Sequence, residues 1–149
     1  MVWLSVKILA YTTIQVPLPF LQRIMMPNDP IRVLSGPALR AFFAISEKWG
    51  LSPDDQRNLL GSPSPETFNF LQGGVVDAVS TDILERISYV LGIYKALHTL
   101  FSDKAQADNW PRKPNNAKLF NGQSALTYML SDSCNVPERV HSYLKSQIL

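Results

Sequence analysis

The chain of 149 residues has a single cysteine and only two histidines. One thiol, Cys134, excludes a disulfide framework and any zinc site built from several thiolates. The histidines, His98 and His141, lie far apart in the sequence, which argues against a histidine-rich metal centre. We therefore expect the protein to bind neither a metal ion nor another cofactor.

Charge is also scarce. Charged residues make up 17% of the chain, against about 25% in an average soluble domain. The 14 basic and 12 acidic residues leave a net charge of +2, an excess too small to indicate nucleic acid or an anionic membrane as the partner. The hydrophobic share of 46% excludes wholesale disorder. This length fits one compact domain, or two very small ones that share a core.

The first 26 residues contain no long, unbroken apolar run. Lys7 follows apolar residues, threonines and a glutamine interrupt the stretch at 12–15, and two prolines come next. A signal peptide needs a basic start, an unbroken apolar stretch and a small-residue cleavage site. A membrane helix needs about 20 predominantly apolar residues. The pattern fits neither, so we expect a soluble, cytoplasmic protein with no membrane association.

Two interpretations of this beginning remain open. Residues 1–26 can form an extended or irregular arm that packs on the domain. Alternatively, natural translation starts at Met25 or Met26, and the preceding residues are an extension of little consequence.

From Pro37 onward, apolar residues recur at helical spacing, and no segment alternates as a strand does. Serine followed by proline marks two helix starts, at 52–53 and 64–65. The longest apolar stripe runs from Ile83 to Phe101, and Gly92 inside it implies a close-packed neighbour. The sequence predicts an all-α fold with helices at about 37–49, 53–60, 65–72, 80–101, 104–110 and 124–130, and a last one capped by Asn135.

The span from Gly50 to Gly74 has the form of a helix-turn-helix, in which the second helix would reach DNA bases. Its candidate DNA-contacting residues are Ser64, Glu66, Thr67, Asn69 and Gln72. Arginine and lysine make the commonest specific base contacts, and this helix has neither. Residues 37–74 carry three basic and four acidic side chains. Specific DNA binding would therefore need cations from a dimer or from another surface.

The order of motifs along the chain resembles the Xre/MbcA/ParS antitoxin family. The resemblance spans about Leu39 to Leu144, and it includes the helix-turn-helix followed by Trp110, Pro114-Asn115, Phe120-Asn121-Gly122-Gln123-Ser124, Leu126, Val140 and Tyr143-Leu144. One departure is Ala125, which stands where the family pattern has a proline.

The resemblance implies a non-enzymatic antitoxin of a type II toxin–antitoxin system. Such a protein is usually a homodimer, neutralises a RES-domain toxin that acts on NAD, and regulates its own transcription by binding operator DNA. The implied organisation is an N-terminal arm at 1–36, an Xre-like helix-turn-helix and dimerisation region at 37–101, and a toxin-binding domain at 102–149.

Candidate toxin contacts combine a tryptophan, polar or charged loop residues and the apolar tail. They are Trp110, Arg112, Lys113, Asn115, Lys118, Lys145 and Leu149. Tryptophan is enriched at binding hot spots, and the cations could pair with an acidic toxin rim. The alternatives are that the tryptophan packs against the protein's own helices, that Pro114-Asn115 sets turn geometry, and that the tail is a frayed helix end.

A rival interpretation is an enzyme with Cys134 as nucleophile and His141 as base. Seven residues on one helix separate two side chains by about 10 Å, too far for a hydrogen bond. The sequence also lacks a glycine-rich phosphate loop and a metal-ligand cluster, so we expect no enzymatic activity. A third interpretation is a helix-turn-helix regulator or helical interaction module without a toxin partner.

Overall fold

The structure is a computed structural model that describes residues 29–131 and 136–149. The predicted arm up to residue 28, Cys134 and the predicted cap Asn135 lie outside these ranges. The described residues form seven α-helices: α1 Pro30–Lys48, α2 Pro53–Leu59, α3 Pro65–Gln72, α4 Thr81–Leu100, α5 Lys104–Asn109, α6 Ala125–Met129 and α7 Val136–Ile148. Short 3-10 helices cover Val76–Ala78 and Trp110–Arg112. The described ranges contain no strand, and the predicted all-α fold is confirmed.

The start of α1 differs from the prediction. The helix begins at Pro30, and Pro37, expected as its first residue, lies inside it. The carboxylate of Asp29 accepts a hydrogen bond from the backbone N–H of Ile31 at 3.0 Å, which satisfies one of the free amides at the helix start. Pro37 has no N–H to donate to the Val33 carbonyl, and both residues are exposed.

The predicted caps of the next two helices are confirmed, and a serine also caps the helix after them. Ser52 and Asp55 form a capping box at the start of α2, in which each side chain bonds the other residue's backbone N–H. Ser64 accepts from the amide of Thr67 at the start of α3. Ser80 caps α4 in the same way. These local contacts fix α2 and α3 as a helix pair with a short turn between them.

The long helix α4 lies at the centre of the fold and packs against both α1 and α7. Its residues Ile87, Val90, Ile93 and Leu97 are fully buried. Trp49, at the end of α1, is also fully buried. One core therefore joins the helix-turn-helix to the C-terminal helices. No helix in the described ranges is long and apolar enough to span a membrane.

Candidate partner-binding surfaces

The helix α3 presents polar side chains and Phe70, which is 49% exposed, to solvent and holds its buried apolar side chains against the core. Phe68 and Leu71 are buried. Among the predicted DNA-contacting residues, Ser64, Glu66, Asn69 and Gln72 are exposed and Thr67 is half-buried.

Two of these predicted residues are engaged in the helix itself. The hydroxyl of Ser64 accepts from the Thr67 amide at 3.1 Å and donates to the Thr67 hydroxyl at 3.0 Å. Of the predicted DNA-contacting residues, those best placed to contact a partner are therefore Glu66, Asn69 and Gln72.

The cations near α3 do not offset the net negative charge of the N-terminal half, residues 29–101. The Nε of Arg57 donates to the carbonyl of Pro63 at 2.5 Å. The guanidinium of Arg86 lies beside Gly61 and 3.9 Å from the carboxylate of Asp82. Residues 29–101 hold six basic and eight acidic side chains. A net charge of −2 weakens attraction to phosphates.

The C-terminal helices have the opposite balance. The described residues from 102 onward hold six basic and three acidic side chains, a net charge of +3. Lys113, Lys118, Arg139 and Lys145 are exposed, and Arg139 was not singled out from the sequence. Leu149 is fully exposed, and Ile148 before it is 43% exposed. This surface therefore combines cations with apolar groups.

The interior of the C-terminal helices is an aromatic cluster around Phe120, which is 1% exposed. The rings of Trp110, Tyr128 and Tyr143 meet the Phe120 ring edge-on, at centroid distances of 5.8, 5.7 and 5.3 Å. Edge-to-face packing is a favourable arrangement of aromatic rings. Trp110 therefore packs against other residues of its own module. The residue is half-buried, so only part of its surface can contact a partner.

Asn115 forms hydrogen bonds within the loop that contains it. Its side-chain oxygen accepts from the amide of Ala117 at 2.8 Å. Its backbone bonds Gln123 and Gly122 at 3.1 and 2.9 Å, beside a bridge between Pro114 and Ser124. These bonds agree with the interpretation that Pro114-Asn115 sets turn geometry.

Arg112 bonds within the protein. Its Nε donates to the backbone carbonyl of Trp49 at 2.6 Å. Its guanidinium occupies the space over Gly50, where a Cβ would overlap it. Close by in sequence, the carboxylate of Asp108 lies 2.9 Å from His98 Nε2 and 3.9 Å from the Lys48 ammonium. The segment 108–112 is therefore fastened to the end of α1.

Two titratable groups meet between α4 and α7. Burial, and then the charge of Lys145, lower the pKa of His141 below its usual value. A hydrogen bond from the Tyr89 hydroxyl to Glu85, at 3.1 Å, is the main cause that raises the pKa of Tyr89. The His141 ring also lies against Gly92, the close-packed neighbour that the sequence implied. The described residues contain no group of three or more side chains suited to a metal ion.

The comparisons agree with this architecture. Residues 32–92 match the family model of the antitoxin Xre-like helix-turn-helix domain. This range begins in the first turn of α1, includes α2 and α3, and ends inside α4. The fold and the match define the class: the chain carries an Xre-like antitoxin helix-turn-helix domain.

The chain is also 45% identical over 111 residues to a protein from Sinorhizobium fredii (strain NBRC 101917 / NGR234), named "Uncharacterized protein y4oB". The alignment covers 73% of this chain and 82% of the relative. The chain belongs to the same family as y4oB. No solved structure matches this chain.

Proposed function

We propose that this protein is the antitoxin of a type II toxin–antitoxin system and acts in the cytoplasm. Its C-terminal module, residues 102–149, neutralises a RES-domain toxin that degrades NAD, by covering the toxin's active site. The observation that carries the proposal is the Xre-like antitoxin domain at 32–92, followed by a helical module with a basic, partly apolar surface. The mechanism is steric and needs no enzymatic group or cofactor from this chain.

Exposed cations on this module suit a partner with an acidic rim. Lys113, Lys118 and Lys145 are solvent-exposed, and opposite charge across an interface accelerates association and aligns the partners. Leu149 and the exposed part of Trp110 supply apolar contact beside them. An interface of about 1,600 Å² in total is enough for stable binding.

The N-terminal half serves as the dimerisation and operator-binding region of the proposed antitoxin. Val33 and Leu34 on α1 are each 59% exposed and give a second copy an apolar surface. In a dimer, Glu66, Asn69 and Gln72 of both copies would face successive half-sites on DNA. The acidic charge of this half favours a second candidate, a helical regulator or interaction module without a toxin partner.

The test is to purify the tagged protein from its natural host through a high-salt wash and to identify bound proteins by mass spectrometry. We expect one stoichiometric protein whose NAD-degrading activity appears only after this chain is stripped away. A protein that elutes alone, as a monomer or homodimer, would overturn the toxin-neutralising role.

Matched variants locate the interface. The triple variant Lys113→Glu, Lys118→Glu, Lys145→Glu should release the toxin, whereas Lys95→Glu, an exposed change on α4, should retain it. A gel-shift titration with the DNA upstream of the gene tests autoregulation separately. A shift that a scrambled duplex does not compete away would support operator binding.

A further inference from the structure

A groove with a cavity volume of about 380 Å³ lies between α1 and the end of α3. Its apolar lining comes from Leu39, Phe43, Leu71 and Val76. Gly36 keeps the α1 side open because it has no side chain to fill it. A cavity of this size accommodates one or two large side chains.

Arg40 is the only charged residue among the described residues that line this groove. It forms no hydrogen bond or ion pair with the described part of the chain, and it is exposed. A Cβ at Gly36 would lie 3.5 Å from Arg40 Nη1, which places the guanidinium along the groove wall. Asp77, just beyond the groove, pairs with Arg32 at 3.6 Å. Among the described residues, Arg40 in this groove therefore has no carboxylate partner.

The apolar surface continues beyond the groove along α1. Residues three and four apart are neighbours on a helix surface, so Val33 lies next to Gly36 and Gly36 next to Arg40. Val33 is 59% exposed. Along α1, the exposed Val33 side chain comes first, Gly36 beside the groove follows, and the Arg40 guanidinium comes last.

We propose that this groove is a second protein-binding site and that its occupant is a short segment of a partner protein with an apolar side chain next to a carboxylate. The apolar side chain enters the groove over Leu39 and Leu71. The carboxylate accepts two parallel hydrogen bonds from the Arg40 guanidinium, a geometry that arginine favours. This site is separate from the basic C-terminal surface, but Val33 also belongs to the proposed dimer surface and Gln72, which lines the groove, is also a proposed DNA contact.

The probe is the peptide acetyl-Glu-Leu-Phe-Glu-amide, titrated into the full 15N-labelled chain and followed by NMR. Millimolar affinity is sufficient for detection, and saturation then requires several mM peptide. We expect shifts at the amides of Gly36, Gly74 and Val76 and at the Arg40 Nε resonance. The same peptide with glutamine in place of both glutamates should bind less tightly.

Two variants and one control complete the test. Arg40→Gln should weaken binding about fivefold, the upper range for one exposed ion pair. Gly36→Leu should abolish binding because its side chain fills the groove, and Lys95→Gln on α4 should leave affinity unchanged. The proposal is overturned by shifts confined to other surfaces, by equal affinity for the uncharged peptide, or by unchanged binding in Gly36→Leu.

Discussion

Arg112 and Trp49 are joined by a hydrogen bond across 63 positions of sequence, from the arginine Nε to the backbone carbonyl at 2.6 Å. The guanidinium covers Gly50, where a Cβ would overlap it, and the φ of +61° at Gly50 is one that residues with a side chain rarely adopt. A second link runs from the side-chain amide of Asn58 to the carbonyl of Leu130 at 3.3 Å. Both hydrogen bonds therefore hold the C-terminal module against the N-terminal half, and Arg112 is next to the exposed Lys113.

Replacing this arginine should destabilise the fold. Arg112→Gln removes the donor to the Trp49 carbonyl, and we expect the free energy of unfolding to fall by about 1–2 kcal/mol. Urea denaturation, followed by circular dichroism, measures the change. The matched control is Lys113→Gln at an exposed neighbour, which should stay within about 0.5 kcal/mol of the parent. Equal stability of the two variants would contradict a fastening role for Arg112.

Gly92 sets the distance between α4 and α7. A Cβ at this position would lie 2.5 Å from His141 Nε2. Alanine raises helix propensity by about 1 kcal/mol over glycine, but overpacking costs about 1–3 kcal/mol. Gly92→Ala should therefore lower the free energy of unfolding in the parent protein.

A double variant tests the cause of this loss. In a His141→Ala background the clash is gone, and the same glycine change should be neutral or stabilising. Urea denaturation of the four proteins gives the coupling between the two positions. A parent protein stabilised by Gly92→Ala would show that the His141 ring moves aside without cost.

Local chemistry made much of the fold predictable. The caps at Ser52, Ser64 and Ser80 follow from bonds within three residues of sequence, so they can be read from the chain. The predicted start of α1 is wrong because Pro37 also has the character of a first helical residue, whereas the helix begins at Pro30. Asp29-Pro30 carries the same cap-and-proline pattern seven residues earlier.

The surface was harder to predict because it depends on contacts between distant residues. Arg112 and Lys113 look alike in sequence, yet only Arg112 reaches the Trp49 carbonyl, across the whole helix-turn-helix. The sequence implied a close neighbour for Gly92 but could not identify it as His141, since that contact joins two separate helices. The groove beside Arg40 also depends on contacts between separate helices, because residues of α1 and α3 line it together.

Phe120 should be the most sensitive position of the C-terminal module. Its buried ring contacts three other aromatic rings edge-on, and truncation of a buried phenylalanine to alanine costs about 3–5 kcal/mol. Phe120→Ala should lower the thermal unfolding midpoint strongly and increase amide exchange in α6 and α7. Lys118→Ala, at an exposed position in the same loop, is the control and should change neither. A small effect of Phe120→Ala would mean that the aromatic cluster contributes little to stability.

His141 should make stability fall in mildly acidic solution. Its usual pKa is 6.5, and burial and the nearby Lys145 lower the pKa in the folded protein. Between these two pKa values the unfolded chain binds more protons than the folded one, so the free energy of unfolding decreases as pH falls through 6.5. Above that pH the group has no effect, and below the folded pKa the loss is complete.

The measurement is urea denaturation at intervals between about pH 7.5 and pH 5.5, a window above the titration of most carboxylates. His141→Gln should flatten the decline in stability over this window. His98→Gln is the control because His98 pairs with Asp108 away from Lys145, and it should keep the part of the slope that His141 causes. An unchanged slope in His141→Gln would contradict the assignment, because the ring that packs over Gly92 beside Tyr89 would then not be the group that gains a proton on unfolding.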